Sequence, residues 1–376
     1  MNKRDENPTI AFIIDEFSDK SNELERATWT DKNRFKRIFC AVRGYIDNPE
    51  CLRDCQDAEI IDLDGKSFLD PAAIIKLYHV MKREDIDVIH TFFHRSGLLV
   101  RMLSIFTKKK IVHSFCSHYS KYSLVSRIAH LITSPLIDEA IFVSESSVKS
   151  LNWVEKKAYL GKSHVVHNGV DIEKIEKTKK QKADVLKKYH IPTDKTLLFT
   201  SSRIEPVKDI ETIVEAFKKI KKSAPNTYLI IAGGGKDKKN PKNIPEETLS
   251  HSGVLFLGKI RKKDVYAILY SIDYFIMASR WEGISLSVLE AMAASKPTIL
   301  SDIPSFREIA LDGDTAVFFK TGDSEDLAKK AINLIEDLRL SKKLGQQAHK
   351  HVVDNFNKDK VSKAYEKIYY NMIYKK

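Results

Sequence analysis

Short apolar runs alternate along this chain with segments whose apolar residues recur every three or four positions. Thr9–Ile14, Phe39–Val42, Glu59–Ile61, Asp87–His90, Ile111–Phe115 and Glu139–Val143 read as strands. Their near-continuous hydrophobicity suits parallel strands buried on both faces. Pro71–Lys82 and Ser96–Phe106 carry the helical period, and Arg83–Ile86 reads as a loop. A charged, helical stretch with seven lysines, Ile172 to Tyr189, then separates two halves. The alternation restarts at Lys195–Thr200 and continues through helix Asp209–Ser223, strands Thr227–Ala232 and Val254–Leu257, and helix Lys262–Ser271. Strand Tyr274–Met277, helix Ser285–Ala294, strand Thr298–Leu300 and helix Ser324–Leu338 follow. Two such series predict an α/β protein with two doubly wound sheets. The end of the chain, Lys358 to Tyr370, is unusually apolar, with Tyr365, Tyr369 and Tyr370.

Length agrees, since 376 residues with 43% hydrophobic content suffice for two α/β domains. No apolar run approaches the roughly 18 residues of a membrane span, and the start runs into a strand without a signal-peptide layout. A cytoplasmic protein is expected. Cys40, Cys51, Cys55 and Cys116 are too unevenly placed for a disulfide framework or a zinc site. The formal charge of +12 raises nucleic acid as a partner, but no zinc-finger, RNP-type or GXXG signature accompanies the lysines. Residues 101–130 instead carry Arg101, Lys108, Lys109, Lys110, Lys121 and Arg127 without one acid, interleaved with Met102, Leu103, Ile105, Phe106, Tyr122 and Leu124. That mixture predicts docking of residues 97–130 on an anionic membrane surface.

The densest chemistry lies in Ser279-Arg-Trp-Glu282-Gly-Ile-Ser285-Leu-Ser-Val-Leu-Glu290-Ala-Met-Ala. A buried strand, Tyr274–Ala278, runs into the turn Arg280–Gly283, and Ser285 is placed to cap a helix whose inward stripe is Val288, Leu289 and Met292. The unpaired N–H groups of such a helix start suit a phosphate. Upstream, Arg203 and Lys208 in Ser201-Ser-Arg203-Ile-Glu-Pro-Val-Lys208 project from the carboxyl end of a strand, with Pro206 delaying the helix. An arginine fork and a mobile lysine would clamp a diphosphate there. Leu229-Ile-Ile-Ala-Gly-Gly-Gly235 runs a strand into glycines that allow close backbone approach. Val165-Val-His-Asn-Gly-Val-Asp171 supplies a turn at the boundary of the halves.

Together, and in this order, these segments resemble the retaining glycosyltransferases of family 4, whose Glu-x7-Glu motif matches Glu282 and Glu290. The resemblance implies the two-domain GT-B fold, two Rossmann-like domains facing a central cleft: 1–170 for the acceptor, 171–355 for the nucleotide sugar, and 356–376 returning to the first domain. It implies that Arg203 and Lys208 hold the diphosphate, Glu282 the transferred sugar and Glu290 the ribose. Gly233, Gly234, Lys259 and Ile260 would line the nucleotide, and the backbone of Gly283, Ile284, Ser285, Leu286 and Ser287 the distal phosphate and sugar. The implied reaction moves a sugar from a nucleotide diphosphate sugar, with UDP favoured over GDP, to a glycan or lipid-linked acceptor in surface polysaccharide synthesis. It needs no cofactor and no essential metal, and Asp62-Leu-Asp64 reads as a turn.

Three departures from the family stand out. Asn22-Glu23-Leu24-Glu25-Arg26 replaces a glycine-rich loop near the donor phosphates, putting an extra acid there. Ser295 replaces a glycine at a helix end. Cys116 falls where the family has a histidine, leaving His118 as the candidate that orients the reacting groups, with His94, just past the strand ending at His90, a second candidate for the acceptor cleft.

Overall fold

The computed structural model of the chain describes residues 7–18, 21–46, 49–53, 55–235 and 253–375. It forms two units, one running to His167 and resuming at Lys358, the other spanning Asn168–Asn357.

In the first unit seven parallel strands lie in the order β3-β2-β1-β4-β5-β6-β7. They are β1 Thr9–Ile14, β2 Lys36–Ala41, β3 Glu59–Asp62, β4 Ile86–Thr91, β5 Lys110–Phe115, β6 Glu139–Phe142 and β7 Ser163–Val165. Every residue of β1 is buried, as its unbroken apolar sequence requires. The chain end packs on this sheet. Helix Lys358–Tyr374 buries Val361, Tyr365, Ile368, Tyr369 and Met372 among Phe12, Phe35, Phe39 and Phe92. Each such side chain contributes about 1.5–3 kcal/mol of transfer free energy, which accounts for the apolar end of the sequence. The Tyr369 hydroxyl also meets His90 Nδ1 at 2.6 Å.

The second unit holds six strands, also parallel, in the order β10-β9-β8-β11-β12-β13. They are β8 Thr196–Ser201, β9 Thr227–Ala232, β10 Val254–Gly258, β11 Tyr274–Met277, β12 Thr298–Ser301 and β13 Val317–Phe319. In each sheet the strand order reverses direction at one place, between β1 and β4 and between β8 and β11. A crevice opens beyond the strand ends at such a point.

Several sequence expectations need correction. Asn22–Thr28 is a helix, not a loop: the Ser21 hydroxyl accepts from Leu24 N–H at 3.1 Å, and Glu23 and Glu25 sit in the first turn, where the helix dipole favours acids. Glu23 is 3.7 Å from Arg26, so its added charge is met inside the same unit. The lysine-rich stretch after Ile172, expected as one helical stretch, is broken into helices Ile172–Glu176 and Lys182–Lys188. Ser295 sits in the left-handed region at φ 59°, the conformation the missing glycine would adopt freely.

Candidate active site

At the reversal point of the second sheet, two loops leave β8 and β11 side by side. After β8, Pro206 opens a single 3-10 turn, Pro206–Lys208. Proline suits that first position because its missing N–H would be unpaired anyway. Asp209 then takes a left-handed conformation at φ 48° and leads into helix Ile210–Ser223. The turn aims Lys208 back across the strand ends, where its ammonium pairs with Glu282 Oε1. The same oxygen accepts from the Ser279 hydroxyl at 2.9 Å. Only 11% of the lysine side chain and 13% of the glutamate side chain remain exposed, so solvent screens this pair far less than a surface one. A second strap binds the loops: Arg280 N–H donates to Val207 C=O at 2.8 Å, and Arg280 Nη2 lies 3.0 Å from Asp209 Oδ2.

Arg203 is placed differently from the expected clamp. It is three-quarters exposed and pairs with Glu205 at 2.9 Å, while Lys208 is engaged by Glu282. An exposed ion pair of this kind holds its partners by about 1 kcal/mol at most, so the arginine can swing to an arriving anion at little cost.

The glycine run is fixed by the backbone. Ser202 N–H bonds Ala232 C=O, Ile204 N–H bonds Gly234 C=O, and Gly233 N–H bonds Gly258 C=O at 2.8 Å, tying the ends of β8, β9 and β10 together. A Cβ on Gly233, which has φ 155°, would lie 1.7 Å from the Ser202 carbonyl oxygen, so no other residue fits. One on Gly234 would come within 3.2 Å of Lys259 Cβ. Lys259 and Ile260 lie in the link from β10 to helix Lys262–Leu269, with Lys259 exposed and Ile260 half-buried.

Glu290 sits in helix Leu286–Ala293 and is buried. Its Oε1 accepts from the Tyr266 hydroxyl at 3.1 Å, and the Lys262 ammonium lies 3.7 Å away. Tyr266 and Lys262 are one turn apart on their helix, the spacing that puts two side chains on one face. Ser285 stands at the N-cap position, but its hydroxyl makes no capping bond, so the cap expected from sequence is one of position only. Gly283, Leu286 and Ser287 are half-buried and Ile284 is buried. Asn168, read from sequence as a turn residue, reaches this loop: its side-chain N–H donates to Ile284 C=O at 3.0 Å. Ser279, Tyr266, Lys262 and Asn168 are thus parts of the site that their types and spacing did not announce.

The remaining candidates lie in the first unit. His118 is half-buried, with Nδ1 2.9 Å from the Ser120 hydroxyl. The Cys116 thiol accepts from Arg26 Nη2 at 3.4 Å, and burial pushes it up to about 12, so it stays protonated. Asp62 Oδ1 accepts from Asp64 N–H at 2.7 Å in a turn. Among the described residues, no cluster of three or more His, Cys, Asp or Glu is arranged to hold a metal ion.

Residues 181–351 match the family model of glycosyl transferases group 1, and residues 57–174 match that of glycosyltransferase family 4. The chain belongs to the family 4 glycosyltransferases. This glycosyltransferase is 26% identical over 322 residues to the N-acetyl-alpha-D-glucosaminyl L-malate synthase of Bacillus anthracis, covering 81% of this chain and 80% of that one. It is 25% identical over 327 residues to the UDP-Gal:alpha-D-GlcNAc-diphosphoundecaprenol alpha-1,3-galactosyltransferase of Escherichia coli, with 82% and 81% covered. HepE of Anabaena, solved with UDP and glucose, superposes with a TM-score of 0.78 over 96% of this chain and 99% of its own, at 16% identity. At that identity the likeness speaks for a shared GT-B fold.

Proposed function

We propose that this glycosyltransferase transfers a sugar from a UDP-sugar, with retention and without an essential metal, to a lipid-linked glycan at an anionic membrane surface. The observation that carries the reading is the Lys208–Glu282 pair at the sheet reversal, with Glu290 on the helix that follows. A diphosphate arriving there competes with Glu282 for Lys208 and draws Arg203 from its exposed pair. The freed Glu282 carboxylate accepts hydrogen bonds from the sugar, and Glu290, oriented by Tyr266, accepts them from the ribose. In the reaction the bond from the anomeric carbon to the phosphate oxygen breaks, and the acceptor oxygen bonds to that carbon from the same face. The acceptor proton passes to the departing phosphate. Fixed positive groups stabilise the charge that develops on the diphosphate.

The lipid side of the reading rests on an inverted helix. In Leu124–Ile132 only His130 is buried, whereas Leu124, Val125, Ile128 and Ile132 face solvent, and the preceding helix exposes Met102, Ile105 and Phe106. No acidic residue occurs between Asp87 and Asp138, so this apolar face lies in a stretch of one charge sign. The lysine run itself contributes less than its sequence promises. Arg101 is buried, Lys109 donates to the Ile86 carbonyl at 2.8 Å, Lys110 bonds the Met372 carbonyl, and Arg127 pairs with Glu155 at 2.7 Å. Docking is therefore led by apolar insertion, with charge selecting anionic lipid. No helix among the described residues is long and apolar enough to cross a membrane.

The test of the reaction is product analysis. UDP-sugars are offered with N-acetylglucosaminyl diphosphate on a short lipid chain, in EDTA, and the anomeric configuration is read by NMR. Product that keeps the donor's α configuration supports the reading; inverted product, or transfer only with added metal, overturns it. For the surface, Val125→Asp with Ile128→Asp should abolish co-sedimentation with phosphatidylglycerol vesicles. Unchanged binding would remove the lipid docking.

A further inference from the structure

The reversal point of the first sheet carries a second constellation, used by none of the chemistry above. Asp15 follows β1, and its Oδ1 accepts from Ser96 N–H at 3.1 Å. His94, which opens helix His94–Thr107 beyond β4, places Nδ1 2.9 Å from His130 Nε2. His130 Nδ1 lies 3.0 Å from Arg101 Nη1. Arg101 is fully buried, donates through Nε to Gly97 C=O at 3.0 Å, and pairs with no carboxylate among the described residues. An uncompensated buried guanidinium is costly, and its retention here has a consequence for the two imidazoles.

A guanidinium only donates. His130 Nδ1 must therefore accept, and burial, which lowers this histidine to about 2, keeps the ring neutral. Its proton stands on Nε2 and is donated to His94 Nδ1. His94 then carries its own proton on Nε2, and that N–H has no protein partner among the described residues. Burial first, then the charge of Arg101, holds His94 below the ordinary histidine range. Gly97 lets helix His94–Thr107 lie close on β5, because a Cβ there would meet the His113 ring at 2.6 Å. The result is a donor of fixed polarity beside Asp15, whose charge acts on His94 and whose carboxylate retains acceptor capacity.

We infer that Asp15 and His94 form a recognition site for a carbohydrate hydroxyl of the acceptor, with Arg101 and His130 as positioning residues that fix the His94 tautomer. A hydroxyl both donates and accepts; it donates a hydrogen bond to the Asp15 carboxylate and accepts one from His94 Nε2–H. His94 cannot act as a base in this arrangement, because its Nδ1 is already accepting. The inference rests on the sugar-transfer reading and is tested apart from it.

With full-length protein labelled at histidine nitrogens, saturating N-acetylglucosaminyl diphosphate on a short lipid chain should shift the His94 Nε2 resonance, in the Nε2–H tautomer before and after. His94→Leu should raise the KM for that acceptor at least tenfold, leaving the UDP Kd and thermal midpoint unchanged. His94→Gln, whose amide can donate from a similar position, should restore most of the loss. Arg101→Met should let the His94 tautomer vary. An unmoved Nε2 resonance at saturation, absence of acceptor binding, or an unchanged KM in His94→Leu overturns the inference. A His94 shift in a protein that binds the acceptor yet transfers no sugar overturns the transfer reading instead.

Discussion

The two sheet reversals are built by opposite means. Beyond β8 and β11 the second unit sets full charges against each other, Lys208 on Glu282 and Arg280 on Asp209. Beyond β1 and β4 the first unit sets His94 and His130, which burial holds neutral, beside one carboxylate, with the Arg101 charge withdrawn behind them. The contrast follows the partners proposed for each place. A diphosphate is gripped by cations that can leave a provisional acid. A sugar hydroxyl is read by one donor and one acceptor whose directions are fixed, because a mobile charge would not distinguish it from water.

Breaking the charged side gives the largest effect. Arg203→Ala with Lys208→Ala should lower transfer by on the order of a thousandfold, with an unchanged circular dichroism spectrum; undiminished turnover would remove the nucleotide site from this reversal. Gly233→Ala comes next. The 1.7 Å approach to the Ser202 carbonyl leaves no room for a methyl group, so β8 and β9 must part, at about 2–4 kcal/mol. Thermal denaturation should show this, while Gly161→Ala, which meets no atom within 4 Å, should cost only about 1 kcal/mol of left-handed strain.

Acid should separate the units. His90, His113 and His130 are fully buried in the first, and burial depresses all three below 6.5. The unfolded chain takes up those protons first, so their contribution is complete above about pH 6.5 and falls as pH drops, by up to about 1.4 kcal/mol per pH unit for each ring. Asp15, raised by burial, works the other way but is a single group. Among the described residues the second unit buries no histidine fully. Hydrogen exchange corrected for intrinsic rates should show the first unit opening earlier between pH 7 and about pH 5; simultaneous opening would contradict the asymmetry. The smallest effect is a gain: Ser295→Gly relieves φ 59° and should stabilise by about 1 kcal/mol in denaturant unfolding.

The charged reversal was the more legible in sequence. Strand, glycine and acid in fixed order single out Gly233, Glu282 and Glu290 as candidates, since backbone approach and helix starts constrain residue type locally. What stayed hidden came from long-range contact. Asn168 reaches Ile284 across 116 positions, and Tyr369 reaches His90 across 279. The lysine run misled for the same reason: a charge count cannot tell that Lys110 is spent on the Met372 carbonyl. The Asn22–Thr28 helix is not legible because its cap, Ser21, precedes a segment with few apolar positions.

The central claim is that the second unit's reversal binds the nucleotide of the donor. Calorimetric titration of UDP, with and without magnesium, into the wild type, Lys208→Ala and Glu290→Gln addresses it directly. Wild-type binding should be micromolar and magnesium-independent, and weakened by about tenfold or more in each variant, as loss of one charge-assisted contact would give. Failure of UDP to bind the wild type, or equal affinity in all three proteins, would contradict it.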